Sequence, residues 1–199
     1  GELFLDPSGI YALPLASDPV VLYYNRDILS SAGHAKPIAY WDEIYASATN
    51  LSKKDPAGNL FSSVMALGEA RNIPHAKDIL SLLFLQAGTP ITSLVGGKLQ
   101  AQIATNFGLS ILPGVAALDF YAVKLKRFCP PGAEYHDFDD TQTDFSAGKA
   151  ALSLTWASRF PDLADPARNA RAADTGLLMM PEGPGGRFAA PGAWSLVIS

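Results

Sequence analysis

The sequence has almost no cysteine, few histidines and no excess of basic charge. A single cysteine, Cys129, excludes an internal disulfide and any metal site built from thiolates alone. The three histidines, His34, His75 and His136, lie in separate segments without the spacing of metal ligands, so each is interpreted as a surface or loop residue. The formal net charge of -4 gives no basic field for nucleic acid, and no nucleic-acid partner is expected.

Long apolar runs and catalytic motifs are missing as well. No run approaches the roughly 20 apolar residues that a membrane-spanning helix needs. No P-loop, H-E-x-x-H or G-x-S-x-G motif occurs, and "GPGGRF" falls between two predicted strands, where a turn explains it. The acidic run "DFDD" is better explained as the cap of a following helix than as a calcium site. The residues therefore predict no enzyme, no cofactor and no metal.

What the sequence does contain is an alternation of strand and helix patterns over 199 residues. Two short extended segments are expected, "GIYALPL", which Pro14 breaks, and "PVVLYYN". Asn25 is expected to cap the helix "RDILSSAG". The segment "WDEIYASATNLSKK" predicts a helix with acids in its first turn and lysines in its last. Residues 89–108 are predicted to be mainly loop, with a short strand at "LQAQIA" as an alternative. The alternation indicates an α/β fold in one layered domain.

The further elements are predicted from the same hydrophobic periodicity and from the turn residues between them. Strands are predicted at "LFSSVMAL", "AALSLTW", "TGLLMMP" and within "RFAAPGAWSLVIS", and helices at "HAKDILSLLFLQAG", "GVAALDFYAVKLKRF" and "TQTDFSAGK". Adjacent side chains of a strand point to opposite faces, so Tyr23 and Tyr24 cannot serve one surface. We expect one ring in the core and the other near a hinge or cleft wall.

Four stretches, taken in order, resemble the extracellular solute-binding proteins of ABC importers. They are "GIYALPLASDPVVLYYNRDILSSAG", "KPIAYWDEIYASATNLSKKD", "TDFSAGKAALSLTWAS" and "GLLMMPEGPGGRFAAPGAWSLVIS". Two details depart from the family pattern: Tyr40 replaces the usual threonine before Trp41, and Gly192 is preceded by Pro191 instead of a second glycine. The resemblance implies a type II periplasmic-binding-protein fold, with a mixed β-sheet flanked by helices.

The resemblance also implies how the chain is organised. Such proteins have two lobes, and residues 1–199 correspond to the second lobe, with the first lobe expected to precede Gly1. Both ends of the sequence look as though they were cut from something longer. The segments around Leu13–Leu15 and Ser195–Ile198 are expected to run close together, because both would lead to the hinge.

The resemblance places candidate ligand-binding residues at the ends of strands. Ser17 and Asp18 precede the Tyr-Tyr strand, and the alternative for Asp18 is a turn-capping role. Trp156 ends "AALSLTW" as an aromatic platform, with core packing as the alternative. The remaining candidates are Glu69 and Asn72, whose alternative is a surface loop, Gly192, which would let ligand approach the backbone, and Trp194, whose alternative is the core.

The function implied is capture of a small polar solute, with a carbohydrate as the favoured class, for delivery to ABC permease subunits. The resemblance further implies a monomer located in the periplasm or outside the cell, with a lipid anchor as one form of attachment. Two alternatives from other classes stay open: an enzyme that reuses the lobe fold, and a sensor or interaction domain. A catalytic acid-base pair would favour the first alternative, and a large apolar patch away from the cleft would favour the second.

Overall fold

The computed structural model describes residues 5–7, 9–10, 12–36, 38–57, 60–67, 75–125, 140–184 and 191–197. Ten strands lie in these ranges: β1 Leu5–Asp6, β2 Gly9–Ile10, β3 Ala12–Asn25, β4 Lys53–Lys54, β5 Leu60–Ala66, β6 Thr92–Val95, β7 Lys98–Ala101, β8 Ala150–Trp156, β9 Thr175–Leu178 and β10 Pro191–Val197. Six α-helices accompany them: α1 Arg26–Ser31, α2 Trp41–Leu51, α3 Ala76–Gln86, α4 Pro113–Asp119, α5 Asp140–Ser146 and α6 Phe160–Ala164.

The main sheet is mixed and six-stranded, in the order β10-β3-β8-β5-β4 with β9 also paired to β3. Strand β8 runs antiparallel to β3 and parallel to β5. Both β8 neighbours are apolar strands, and every residue from Ala150 to Thr155 is buried, as a central strand covered on both faces requires. The predicted α/β architecture, a mixed sheet flanked by helices, is confirmed.

Two hydrophobic clusters lie on the two faces of this sheet. Val20 and Leu22 of β3 point into the larger cluster, which also holds side chains from α1 to α4, while Val21 and Tyr23 point into a smaller cluster with Phe145 of α5 and Leu163 of α6. The alternation along β3 therefore divides the chain into three layers, with helices on both sides of the sheet.

Strand β3 is longer than the sequence suggests. Pro14 does not break it: residues 12 to 25 form one strand, so the expectation of two short strands is wrong. Its first half pairs with β10, and the register shifts where Trp194 faces Ala16 but Ser195 faces Pro14. The skipped residue, Leu15, forms a bulge that accommodates a proline without an N–H for the ladder. The expected proximity of Leu13–Leu15 to Ser195–Val197 is confirmed.

Helix caps explain where α1 and α2 begin. Asn25 caps α1 as predicted, because its Oδ1 accepts from the Ile28 N–H at 3.1 Å. At α2 the Glu43 carboxylate accepts from the N–H groups of Ala39 and Tyr40, at 2.8 and 3.2 Å, which is the glutamate half of a capping box and ties the residues before the helix to its first turn.

Helix α2 is shorter than its charge pattern predicts. It ends at Leu51, and the two lysines placed in its last turn form β4 instead, where they pair with β5. The pairing with a buried strand outweighs the favourable interaction of those lysines with the helix dipole.

The predicted loop at residues 89–108 contains a β-hairpin. Thr92–Val95 pairs antiparallel with Lys98–Ala101 across the two-residue turn Gly96-Gly97. Both glycines have positive φ, 58° and 75°, which is the conformation that two-residue hairpin turns need. The hairpin is almost entirely exposed, so it lacks the buried alternation by which a strand is recognised in a sequence.

Candidate functional site

The sheet brings several candidate residues to one edge. Because β5 and β8 are parallel, their carboxyl ends emerge on the same side, where open α/β sheets bind ligands. Trp156 is the last residue of β8 and pairs with Val20 of β3. Glu69 and Asn72, in the segment that follows β5, lie outside the described residues.

The indole of Trp156 is partly buried. It packs against the larger cluster, and its ring lies 5.9 Å from the ring of His75 at a tilt of 57°. The strand residues before it, from Ala150 to Thr155, are all buried. Trp156 is thus the first partly exposed residue of β8, and it lies where the strand reaches the sheet edge. The side chain is thus anchored by the core on one side and accessible on another.

His75 is not the surface or loop residue that the sequence predicts. It is 6% exposed, and its Nε2 is hydrogen-bonded to the carbonyl oxygen of Leu154. A carbonyl only accepts, so Nε2 carries the proton in this contact. The imidazole ring packs against the Trp156 indole. No local pattern around His75 indicates this contact, because its partners lie about 80 residues further along the chain.

Asp18 makes a two-point contact with the turn that follows Trp156. Its two carboxylate oxygens accept from the N–H and the hydroxyl of Ser158, at 2.8 and 2.5 Å. Ser158 lies in a short 3-10 helix, Ala157–Arg159, so Asp18 caps this helix from a different strand. Asp18 therefore has a capping role, as its alternative interpretation proposed, but toward a turn 140 residues further along the chain. This contact holds the backbone of Ser158, two residues after Trp156.

Tyr23 positions the same turn from beneath the sheet. It is fully buried, and its hydroxyl donates to the carbonyl oxygens of Trp156 and Ala157, each at 3.1 Å. Burial, and then the Asp18 carboxylate, raise the pKa of the Tyr23 phenol far above its ordinary value, against a smaller lowering by Arg159. The phenol is therefore a neutral, permanent donor.

The two tyrosines face opposite clusters, as predicted. Tyr24 packs against the larger cluster and covers Gly176 of β9 so closely that a Cβ added there would lie 2.2 Å from the Tyr24 ring. It pairs with Leu152, four residues before Trp156. Tyr24 lines a small pocket with Arg26 and His34, and its expected place near a hinge or cleft wall stays a prediction.

The remaining candidates lie where β3 pairs with β10. Asp18 faces Gly192, Ser17 faces Ala193, and Trp194 faces Ala16. Ser17 is exposed, and for Gly192 and Trp194 the structure describes the backbone. Five of the seven predicted residues thus lie in one region, which joins the end of β8 to the β3–β10 ladder.

The described part of the chain offers no ready-made metal or membrane site. In that part, no three histidine, cysteine, aspartate or glutamate side chains are grouped so that they could hold a metal ion. None of its helices has the length and apolar character needed to span a lipid bilayer. The chemistry at the sheet edge is that of an aromatic face beside a carboxylate and hydroxyls, which is typical of polar-ligand binding.

Comparison with known proteins identifies the family. The family model of bacterial extracellular solute-binding proteins matches residues 2–199. The chain belongs to this family. A Brucella abortus protein named as a binding protein is 26% identical over 203 residues, which cover 99% of this chain and 45% of that protein. The mannitol-binding protein of Pseudomonas aeruginosa is 25% identical over 179 residues, covering 86% of this chain and 37% of that protein.

A solved structure agrees with the sequence relatives. The ABC transporter solute-binding protein of Agrobacterium radiobacter, in complex with ribitol, superposes with a TM-score of 0.72 at 22% identity, over 97% of this chain and 45% of that one. The chain therefore shares the fold of this solved structure and spans less than half the length of these relatives. The predicted family and fold are confirmed.

Proposed function

We propose that this chain is one lobe of a solute-binding protein that holds a small polyol or sugar between two lobes and delivers it to an ABC permease. The observation that carries the proposal is that the partly buried Trp156 ends β8 at the carboxyl edge of the sheet, two residues before Ser158, whose N–H and hydroxyl bind the Asp18 carboxylate. Family membership supports the class of function, and the mannitol-binding relative and the ribitol-bound structure support polyols and sugars as the solute class.

The residues at this edge match the chemistry of a polyol. The C–H surface of a sugar or polyol stacks on an indole face, which we assign to Trp156. Its hydroxyls need donors and acceptors, and Asp18 and Ser158 provide both. Ser17 is the neighbour of Asp18 in β3, so its side chain points to the opposite face of the strand. Each carboxylate oxygen accepts more than one hydrogen bond, so contact with Ser158 leaves Asp18 able to accept from a solute hydroxyl.

The rest of the solute shell would come from outside the described residues. In this proposal Glu69 and Asn72 approach from the segment after β5, because that segment starts at the same sheet edge as the end of β8. Gly192 and Trp194 would contribute from β10, and the opposite wall from a second lobe. That this chain spans less than half of its relatives supports the assignment of residues 1–199 to a single lobe.

The proposed role is binding without catalysis, by a monomer outside the cytoplasmic membrane. The family is an extracellular one, which supports the location, and a lipid anchor is part of the same proposal. In this proposal the two lobes close when the solute binds, and the permease recognises the closed, solute-loaded form.

Calorimetric titration of the full-length protein with mannitol, ribitol and maltose tests the proposal. Trp156→Ala should weaken the binding of whichever solute binds by about tenfold or more, because the stacked surface is lost. The loss of stability should stay below the roughly 3–5 kcal/mol of a fully buried aromatic truncation, since the indole is only partly buried.

Two control variants frame this result. Phe160→Ala removes an aromatic ring that is 45% exposed, four residues further on, and should change neither affinity nor stability appreciably. Trp41→Ala removes a 5% exposed core indole and should mainly reduce stability. Unchanged solute affinity in Trp156→Ala, together with a large fall in the urea midpoint, would remove Trp156 from the binding site.

A further inference from the structure

A second polar pocket lies on the other face of the sheet from the Trp156 indole. It has a volume of about 210 Å³ and is lined by Gln142, Thr143, Ser146, Arg159, Asp162, Leu163 and Arg168. Leu163 belongs to the smaller cluster beneath α5 and α6, whereas the indole packs against the larger one. The pocket is therefore separate from the proposed solute site, although Arg159 lies only three residues after Trp156.

One carboxylate holds two guanidinium groups at this pocket. Asp162 contacts Arg159 Nη1 through Oδ2 at 3.6 Å and Arg168 Nη1 through Oδ1, and Arg168 Nε lies 3.8 Å from Asp165. Each guanidinium carries five N–H donors, of which these contacts engage only one or two nitrogens. Asp162 thus orients both arginines, and together with Asp165 it balances their charge, while most of the guanidinium N–H donors are not engaged in these contacts.

Helix α5 adds uncharged donors on the opposite wall. The Nε2 atom of Gln142 is buried and has no hydrogen-bond partner among the described residues. A buried donor without an acceptor is destabilising, which makes it a signal for an acceptor supplied by something else. The Thr143 and Ser146 hydroxyls line the same pocket from the same helix. The two guanidinium groups and the Gln142 amide nitrogen donate hydrogen bonds, and the two hydroxyls can donate as well as accept.

We propose that this pocket binds a small oxyanion of the phosphate, sulfate or carboxylate class. Guanidinium groups suit such ligands because their planar N–H donors match pairs of oxyanion oxygens. The Gln142 amide and the two hydroxyls supply further donors to the remaining oxygens. A cation would need oxygen ligands, whereas the two guanidinium groups at this pocket present only N–H donors.

Thermal unfolding and calorimetric titration of the full-length protein with inorganic phosphate test this site. Phosphate should stabilise the protein saturably, beyond sodium chloride at the same ionic strength. Sulfate and acetate distinguish a tetrahedral from a planar oxyanion. Arg159→Gln and Arg168→Gln should each weaken phosphate binding by about tenfold or more, since each removes a charge-assisted contact.

Arg171→Gln is the matched control for both arginine variants. Arg171 is 41% exposed against 39% for Arg159, and it pairs with Asp27 at 3.6 Å, outside the pocket. This variant should keep the full response to phosphate. If all three variants respond alike, or if phosphate stabilises the wild-type protein no more than chloride does, the site does not exist.

Gln142→Leu keeps the test decisive should an arginine variant fail to fold. It removes a buried donor that has no protein partner, so stability without phosphate should be retained or should rise. The phosphate response should nevertheless fall. Solute affinity should not change in this variant, because the solute site lies across the sheet, so failure of the anion site and failure of the proposed function give different results. A full phosphate response in Gln142→Leu would contradict the proposal.

Discussion

Tyr23 combines complete burial with a hydroxyl that two backbone carbonyls share, and this has a measurable consequence at high pH. Burial and the Asp18 carboxylate raise its pKa in the folded state, while in the unfolded chain the phenol ionises near its ordinary value of about 10. Its contribution to stability is therefore complete below about pH 10 and is lost as the pH rises further. Above that point the loss approaches ~1.4 kcal/mol per pH unit.

Urea unfolding of wild type and Tyr23→Phe between about pH 9 and pH 12 measures this contribution. The variant should be less stable at pH 9, by about 1–3 kcal/mol, because two carbonyl oxygens lose a buried donor. The difference in free energy of unfolding between wild type and variant should decrease steadily as the pH rises. Tyr45→Phe, at a 48% exposed position, controls for the loss of one phenol. A gap that stays constant with pH would show that Tyr23 does not retain its proton.

At this scale the sequence predicts what depends on neighbours along the chain. The opposite directions of Tyr23 and Tyr24 follow from strand geometry, and the cap at Asn25 follows from its place before a helix. The sequence does not predict that Asp18 binds Ser158 or that His75 supports Trp156. Those partners are separated by 140 and about 80 residues, and no local pattern reports such contacts.

At the scale of elements, Gln86 joins three parts of the structure. Its Oε1 accepts from Trp41 Nε1 at 2.8 Å, and its Nε2 donates to the Pro181 carbonyl oxygen at 2.7 Å, so α3, α2 and the segment after β9 meet at one buried amide. Gln86→Leu leaves a buried indole N–H and a buried carbonyl without their partner. We expect a loss of about 2–4 kcal/mol in the free energy of unfolding.

The control for this variant is Gln100→Leu, which makes the same change on the exposed strand β7. It should alter stability by less than about 0.5 kcal/mol. Urea unfolding of both variants gives the comparison directly. If both variants lose the same free energy of unfolding, the hydrogen bonds of the Gln86 amide do not stabilise the protein.

The elements that the sequence predicts well are those that bury a face. Strand β8 and helices α3 and α4 follow from their apolar period. Of the hairpin, β7 overlaps the short strand left open at "LQAQIA", whereas β6 is missed because its side chains are exposed. The end of α2 is misplaced because Lys53 and Lys54 pair with β5. Strand pairing is a property of two segments, and one segment alone does not specify it.

At the scale of the whole molecule, the proposed single lobe provides only half of a solute shell. The chain of 199 residues should therefore bind mannitol or ribitol at least about a hundredfold more weakly than the full-length protein, because contacts from a second lobe are absent. Calorimetric titration of both forms measures the difference, with far-UV circular dichroism to verify that the isolated chain is folded. Equal affinities would show that one lobe contains the entire site.

The bulge at Leu15 has a mechanical consequence for the β3–β10 ribbon. Residues 12–19 and 191–197 form a two-stranded ribbon whose ladder is interrupted once, where Leu15 has no partner, beside a proline that donates no hydrogen bond. An interrupted ladder has its lowest bending stiffness at the interruption, while the intact pairs on either side stay rigid. The ribbon therefore bends most readily at Leu15, three residues before Asp18, for which we propose a role in solute binding.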